Sequence, residues 1–205
     1  MKKTIPLIMT MLIYALTEGC GAKNGTLYLN SNYQATDTSS IKIVILPIGG
    51  TDGALTDSAF EKAFEPQRQS LVPLRSVRAK ISNDNTLATT LGRVIQQEHS
   101  LTGSDESPNL KNFLREIDLP SLREKLDYAD IMLLPLEFDF RKVMGYTTGH
   151  FKYRFYDLKS GVLLLDNSED LSVNIVGEDA RLLLTNALMN FCHTDFEKHL
   201  LENTK

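Results

Sequence analysis

The sequence predicts an α/β (α+β) protein in which helices pack against a single mixed β-sheet. Residues 43–46 and 131–134 are unbroken apolar runs, which are typical of strands buried on both faces. Residues 151–156 alternate apolar and polar side chains before a turn at residues 157–161, which predicts a hairpin with one solvated face. Apolar side chains also recur at helical spacing between these strands and after residue 177. We therefore expect one domain over residues 41–205, in the order strand, helix, weak strand, helices, strand, hairpin, strand, helix.

The first half of this domain contains one strong strand and several short helices. Residues 41–48 form the strand, and Thr56 or Asp57 is a suitable cap for the helix that follows. Residues 74–80 partly alternate, which predicts a weak strand. Apolar side chains spaced three and four apart then predict a helix after Asp84. Residues 98–127 are a helical insert, in which Pro120 opens a short helix leading into the next strand.

The second half is organised around residues 130–166. The strand of residues 130–140 begins with both faces apolar and then alternates, so that Glu137 and Asp139 share a polar face. A Gly/Thr-rich connection leads to residues 151–156, and Asp157 to Gly161 is a turn in which the glycine takes a positive φ. Residues 169–175 alternate weakly and continue the sheet.

The last predicted helix begins after Gly177 and should cover the sheet with an apolar stripe. The members of the stripe are Ala180, Leu183, Leu184, Ala187, Leu188 and Phe191. Phe196 and Leu200 lie slightly off this stripe, so the pattern does not fix whether the helix continues past Thr194. Cys192 follows Leu188 by one helical turn, which indicates a small buried hydrophobic residue rather than a reactive thiol.

Residues 1–19 read as a secretory signal peptide, because Lys2 and Lys3 precede an apolar run too short to span a bilayer. The segment from Leu16 to Cys20 resembles the bacterial lipoprotein signal, in which an apolar segment ends in Leu, two small residues and a Cys. Gly19 and Cys20 match that signal, whereas Thr and Glu stand between Leu16 and Gly19. The resemblance implies that Cys20 is acylated, palmitate included, and becomes the first mature residue.

The residue after Cys20 is Gly rather than Asp, which resembles the sorting pattern of outer-membrane lipoproteins. This implies a lipid anchor that places the protein at the periplasmic face of the outer membrane. Residues 20–40 are rich in Ser, Thr, Asn and Gly, which predicts a flexible tether, although residues 26–29 could add an edge strand. With Cys20 acylated, Cys192 has no partner for a disulfide.

Composition excludes several partner classes. The formal net charge is −4, and no cluster of basic residues stands out. Such a chain is a poor ligand for nucleic acid or for an anionic lipid surface, so membrane attachment would come from the acyl chains.

Three short motifs resemble those of a group of envelope α/β domains. Residues 43–48, Ile-Val-Ile-Leu-Pro-Ile, resemble the first strand of the TolB amino-terminal domain, the curli-secretion lipoprotein and the LpoB-type activator lipoproteins. Residues 128–133 resemble the Ala-Asp start of a later strand in these domains, and residues 155–161 resemble their Tyr-Asp…Gly hairpin turn. The resemblance implies a periplasm-facing lipoprotein that binds other envelope proteins, with no catalytic residue to carry over.

No constellation of catalytic residues or metal ligands stands out, so we expect no enzyme activity, metal or cofactor. Glu137 and Asp139 are typical of a solvated strand face, and the four histidines lack metal-ligand spacing. Tyr146 and Tyr156 fall in a loop and on a polar strand face, so both are candidate partner-binding residues. We expect a non-enzymatic adaptor or assembly factor in a secretion, transport or cell-wall complex, with homo-oligomers possible. The alternative is a small-ligand-binding protein or enzyme that uses loops 49–56 and 143–149.

Overall fold

The computed structural model describes residues 28–30, 41–48, 53–101 and 117–201. Its six strands form one mixed sheet in the order β1-β6-β5-β4-β2-β3, with helices packed against it. The fold class predicted from the sequence is confirmed.

The bounds of the elements are as follows. The strands are β1 (Tyr28–Leu29), β2 (Ile43–Ile45), β3 (Leu71–Val72), β4 (Ile131–Val143), β5 (Tyr146–Asp157) and β6 (Leu163–Val173). The helices are α1 (Gly53–Ala63), α2 (Leu74–Asn83), α3 (Asn85–Leu101), α4 (Leu119–Lys125) and α5 (Glu178–Phe196). A 3₁₀ turn (Glu65–Gln67) follows α1, and a π-helical turn (Glu197–Leu201) follows α5.

The connections between parallel strands place helices on both faces of the sheet. β2 pairs in parallel with β3 on one side and with β4 on the other. The crossover through α1 and the crossover through α2, α3 and α4 therefore travel in opposite directions along the sheet. Right-handed crossovers in opposite directions put their helices on opposite faces, and the two cores are arranged in this way.

One core lies under α1 and α5, and the other lies under α2, α3 and α4. Successive residues of β4 divide between the two: Ile131 and Leu133 join the first core, whereas Met132 and Leu134 join the second. All four are buried, which explains their unbroken apolar run.

The predicted weak strand at residues 74–80 is wrong, because Leu74–Asn83 is helix α2. Val77 is buried and Ile81 packs in the same core four residues later, which is helical spacing, whereas Leu74 is buried in the other core. The strand that pairs with β2 is instead the short β3, immediately before Pro73.

β4 and β5 form a longer hairpin than predicted. The Gly/Thr-rich segment that we expected to be a connection is mostly strand, and the turn consists of Met144 (φ 48°) and Gly145 (φ 87°). Two positive φ values are typical of the tight turns that match the twist of a hairpin. A register shift between Pro135 and Glu137 also reverses the alternation, so that Leu136 and Phe138 lie in opposite cores.

The last helix forms as predicted, but its buried stripe is rotated. Phe191 is 38% exposed, whereas Phe196 and Leu200 are buried. The stripe therefore continues through Cys192 to the end of the chain that the structure describes. Cys192 itself is fully buried, in agreement with the sequence prediction.

At the amino terminus, Tyr28 and Leu29 form an edge strand that pairs antiparallel with β6. The predicted signal peptide and the rest of the tether, with Cys20, lie outside the described residues, as do residues 102–116 of the predicted helical insert. In the parts of the chain that the structure covers, no helix has the length and apolarity needed to cross a membrane.

Candidate functional site

Strands β4, β5 and β6 extend well past the rest of the sheet. β2 ends where Ile45 pairs with Leu133, and β4 continues for ten more residues to Val143. Ten residues of strand correspond to about 33 Å. α5 packs on one face of this extension. On the other face Leu134 and Leu136 still belong to the core under α2, α3 and α4, and no described residue of β4 beyond Leu136 joins that core. We call this other surface the open face.

The open face is polar and its side chains stand in rows across the three strands. One row is Glu137, Lys152 and Ser168, the next is Asp139, His150 and Asp170, and the last is Arg141, Thr148 and Ser172. Six of these side chains, drawn from all three rows, border a shallow depression with a volume of about 380 Å³.

Hydrogen bonds and ion pairs hold the side chains of the open face in place. His150 Nδ1 lies 2.9 Å from Asp170 Oδ1, and His150 Nε2 lies 3.6 Å from Glu137 Oε2. The Thr148 and Ser172 hydroxyls lie 2.8 Å apart and bond to each other. Because these hydroxyls engage each other rather than His150, this geometry does not provide an activated nucleophile. The arrangement suits a preorganised surface for polar contacts with a partner.

The two candidate tyrosines have different surroundings. Tyr146 is 43% exposed and lies at the far end of the open face, where it pairs with Val143. Tyr156 is fully buried, so the expectation that a partner contacts it is wrong. Its side chain does lie on the same face as Lys152, but at this end α3 and α4 cover that face. Burial raises the pKa of Tyr156, and Arg154 partly opposes the shift.

Only parts of the two loops proposed as an alternative ligand site belong to the described residues, and those parts are mostly helix or strand. Residues 49–52 lie outside the described residues, and residues 53–56 begin α1. Residues 146–149 belong to β5, which follows the turn of Met144 and Gly145.

Asp130 joins the start of β4 to three other parts of the chain. Its carboxylate accepts a hydrogen bond from Lys42 N at 3.0 Å and forms ion pairs with Lys159 Nζ at 2.8 Å and Arg123 Nη2 at 3.3 Å. Its backbone carbonyl accepts from Leu158 N at 2.8 Å. The Ala-Asp motif at the start of this strand is therefore structural, because Asp130 connects β2, α4 and the turn after β5.

A buried polar network that the sequence did not predict lies between β5, β6 and α5. Asp195 Oδ2 accepts hydrogen bonds from Tyr153 Oη at 2.7 Å and Asn167 Nδ2 at 2.6 Å, and Asn167 Nδ2 also lies 3.1 Å from Glu169 Oε1. Burial, with the nearby Asp195, raises the pKa of Glu169 and of the Cys192 thiol. A raised pKa keeps this thiol protonated and unreactive. The signal in the sequence was the placement of Asn167 and Glu169 on the apolar side of their strand.

Within the described ranges, no three His, Cys, Asp or Glu side chains converge to hold a metal ion. The open-face acids and His150 are spread along the sheet, and Arg141 pairs with Asp139 at 3.1 Å.

These features define an α+β domain with a long three-stranded extension, a polar open face and no assembled catalytic centre among the described residues. Comparison of the sequence with protein-family models and with curated proteins finds no match.

Three solved structures with a similar fold serve for comparison. The PelC dodecamer from Paraburkholderia phytofirmans is 9% identical with a TM-score of 0.44, over 83% of this chain and 94% of that one. A single-residue variant of the same dodecamer is 10% identical with a TM-score of 0.43, over 82% of this chain and 95% of that one. Lipoprotein GNA1162 from Neisseria meningitidis is 16% identical with a TM-score of 0.41, over 75% of this chain and 99% of that one. Structural similarity at this level of TM-score and sequence identity supports no inference about function.

Proposed function

We propose that this chain is a lipid-anchored, periplasm-facing adaptor or assembly factor of an envelope complex, without enzyme activity of its own. The open face is the observation that carries the proposal. It presents ion-paired and hydrogen-bonded side chains on a rigid three-stranded extension, with the exposed Tyr146 at its end. Ordered polar side chains beside an aromatic residue are typical of protein-binding surfaces.

The location in the envelope is supported by the resemblance of residues 16–20 to the bacterial lipoprotein signal. Acylation of Cys20 would attach the protein to the membrane, and the Gly after it favours the periplasmic face of the outer membrane. Replacing Cys20 with Ser should move the protein out of the membrane fraction. If the Cys20→Ser protein still sediments with membranes after a high-salt wash, the lipid anchor is wrong.

Site-specific photocrosslinking in cells tests the binding surface. A photoreactive phenylalanine derivative replaces Tyr146 in one strain and Tyr128 in the control strain. Tyr128 is a suitable control because it is 63% exposed but lies near the opposite end of the sheet, just before β4. We expect a crosslinked envelope protein from position 146 and not from position 128. Equal crosslinking, or none, at both positions would count against the open face as the binding surface.

The same crosslinks identify the partner. A product of twice the mass of the chain would indicate a homo-oligomer, whereas a product with a different envelope protein would indicate an adaptor. Replacing His150 with Ala should weaken either crosslink at position 146 while leaving the fold intact, because His150 contacts Asp170 and Glu137 on the half-exposed surface.

A further inference from the structure

The far end of the long hairpin exposes three apolar residues, with the exposed charged residues Lys142, Glu178 and Asp179 beside them. Met144 is 97% exposed in the turn between β4 and β5, and Ile175 and Val176, which follow β6, are 43% and 56% exposed. Thr147 Oγ1 donates a hydrogen bond to the Ile175 carbonyl at 2.8 Å, which holds the two segments side by side. We call Met144, Ile175 and Val176 the hairpin tip. Exposed apolar residues grouped in this way mark a surface that contacts something.

The direction of β1 relates the hairpin tip to the amino terminus. Tyr28 pairs with Asp166 and Leu29 pairs with Leu165, so β1 runs antiparallel to β6. β6 runs from Asp166 toward Val173, which pairs with Thr147 beside the tip. β1 therefore points away from the hairpin tip, and Tyr28 is its end on the side of the tip.

The length of chain before β1 is short. Only seven residues separate Cys20 from Tyr28, so the two Cα atoms lie at most about 29 Å apart. The seven-residue step along β6 from Asp166 to Val173 covers about 23 Å. Because the first length exceeds the second, an acyl group on Cys20 can reach the level of the hairpin tip. Of the predicted tether, only these seven residues lie between Cys20 and β1.

The other end of the sheet is charged rather than apolar. Tyr128 is the exposed aromatic residue there, and around it Lys42 Nζ donates to the Asp127 carbonyl while Lys80 pairs with the Asp127 carboxylate. Arg123 and Asp130 form a further ion pair at this end. A bilayer surface fits the tip better than it fits this end, because apolar side chains gain from leaving water and charged pairs do not.

We propose that the hairpin tip rests in the interfacial region of the bilayer that holds the lipid on Cys20. The inference rests on the lipid anchor proposed above and adds an orientation to it. Met144, Ile175 and Val176 enter the boundary between headgroups and acyl chains, and Tyr146 lies just outside at headgroup level, a depth that tyrosine favours. Attraction to anionic lipid contributes little, because the chain carries a formal net charge of −4. The open face then stands upright on the membrane, accessible to a partner.

Depth-dependent fluorescence quenching tests this orientation on the full lipidated protein. Met144→Cys is labelled with an environment-sensitive fluorophore, and Tyr128→Cys serves as the control at the charged end. Labelling is selective, because Cys192 is buried with a raised pKa and an acylated Cys20 has no thiol. The vesicles contain phosphatidylethanolamine and phosphatidylglycerol, with a fraction of the phospholipid carrying a nitroxide quencher near the headgroup. Val176→Cys provides a second label position on the tip.

We expect loss of fluorescence at positions 144 and 176 and none at position 128. Flotation of the vesicles, measured on the same samples, reports the anchor separately. If the protein floats with the vesicles but neither tip label is quenched, the anchor stands and the proposed orientation is wrong. If the protein does not float, the lipid anchor itself is wrong and the orientation falls with it. If the fluorescence of a tip label depends on protein concentration but is not quenched by the nitroxide, the tip contacts another copy of the chain. That result would also overturn the proposal.

Discussion

Replacing Asp130 with Asn should destabilise the domain, because the carboxylate of Asp130 joins three separate elements at the start of β4. The amide keeps the shape but removes the charge that Lys159 and Arg123 pair with. The side chain of Asp130 is only 20% exposed, so solvent does not fully replace these contacts. Losing charge-assisted hydrogen bonds at such a site costs about 1 to 3 kcal/mol. For a domain of this size that corresponds to a fall in Tm of roughly 2 to 12 °C.

The pH dependence of this effect follows from the pKa of Asp130. Burial would raise that pKa, but the Lys159 ammonium and the Lys42 N–H oppose burial and lower it overall. A carboxyl group with a lowered pKa in the folded state stabilises the protein above its unfolded pKa of about 3.9. The contribution disappears as the pH falls through the lower folded pKa. The stability difference between the parent and Asp130→Asn should therefore be complete at pH 7 and shrink in acid.

Urea and thermal unfolding of the soluble Cys20→Ser chain measure this difference at neutral and acid pH. Asp139→Asn is the matched control on the same strand, because its ion pair with Arg141 is exposed. An exposed pair of this kind contributes roughly 0 to 1 kcal/mol. Equal losses in the two variants, or an Asp130→Asn deficit that persists unchanged in acid, would refute the role assigned to Asp130.

Three further predictions concern the fold, and two of them include a control substitution. Gly149→Val should lower the free energy of unfolding by about 1 to 3 kcal/mol, because a Cβ at this position lies 3.1 Å from Leu188 Cδ1. Gly92→Ala is the control and should not destabilise the protein, because the space around Gly92 is open. Equal urea midpoints for the two variants would disprove the close approach of α5 to β5. Gly161 has φ +71°, so Gly161→Val should lose about 1 to 3 kcal/mol and Gly161→Asn much less, and identical Tm values would contradict the turn. Leu184→Asp places an unpaired charge in a site that is 1% exposed, and a variant that remains protease-resistant would show that α5 does not cover the sheet.

Several elements could be predicted because their signals are local. The unbroken apolar run at residues 131–134 indicated a central strand, and the structure places successive residues of it in two cores. The turn ending at Gly161 was predicted from Asp157, whose carboxylate accepts hydrogen bonds from Lys159 N and Ser160 N. Such signals need only neighbouring residues, because the hydrogen bonds involved close within a few positions.

The errors arose where distant parts of the chain decide the outcome. Alternation at residues 74–80 was weak, and burial of Leu74 and Val77 against the sheet selects a helix there. Tyr156 lies on the face of β5 expected from its alternation, but which part of that face the helices cover depends on where they pack. The candidate site was therefore only half predictable: Tyr146 is exposed as expected, while the partners of His150 come from β4 and β6 and appear only after the strands pair.

By itself, the sequence determined the fold class, the central strands, the turn after β5 and the apolar stripe that begins α5, because periodicity and turn chemistry are local properties. It also carries the lipoprotein-like signal ending at Cys20, which is read by a resemblance and not by folding. Only the tertiary structure decided the length of the β4–β5 hairpin, the extent of the open face and the pairing of Tyr28 with β6. These depend on strand register and on helix cover, which are set by contacts between residues far apart in the chain. The same pairing leaves seven residues between Cys20 and β1, and the proposed orientation on the membrane depends on that short length.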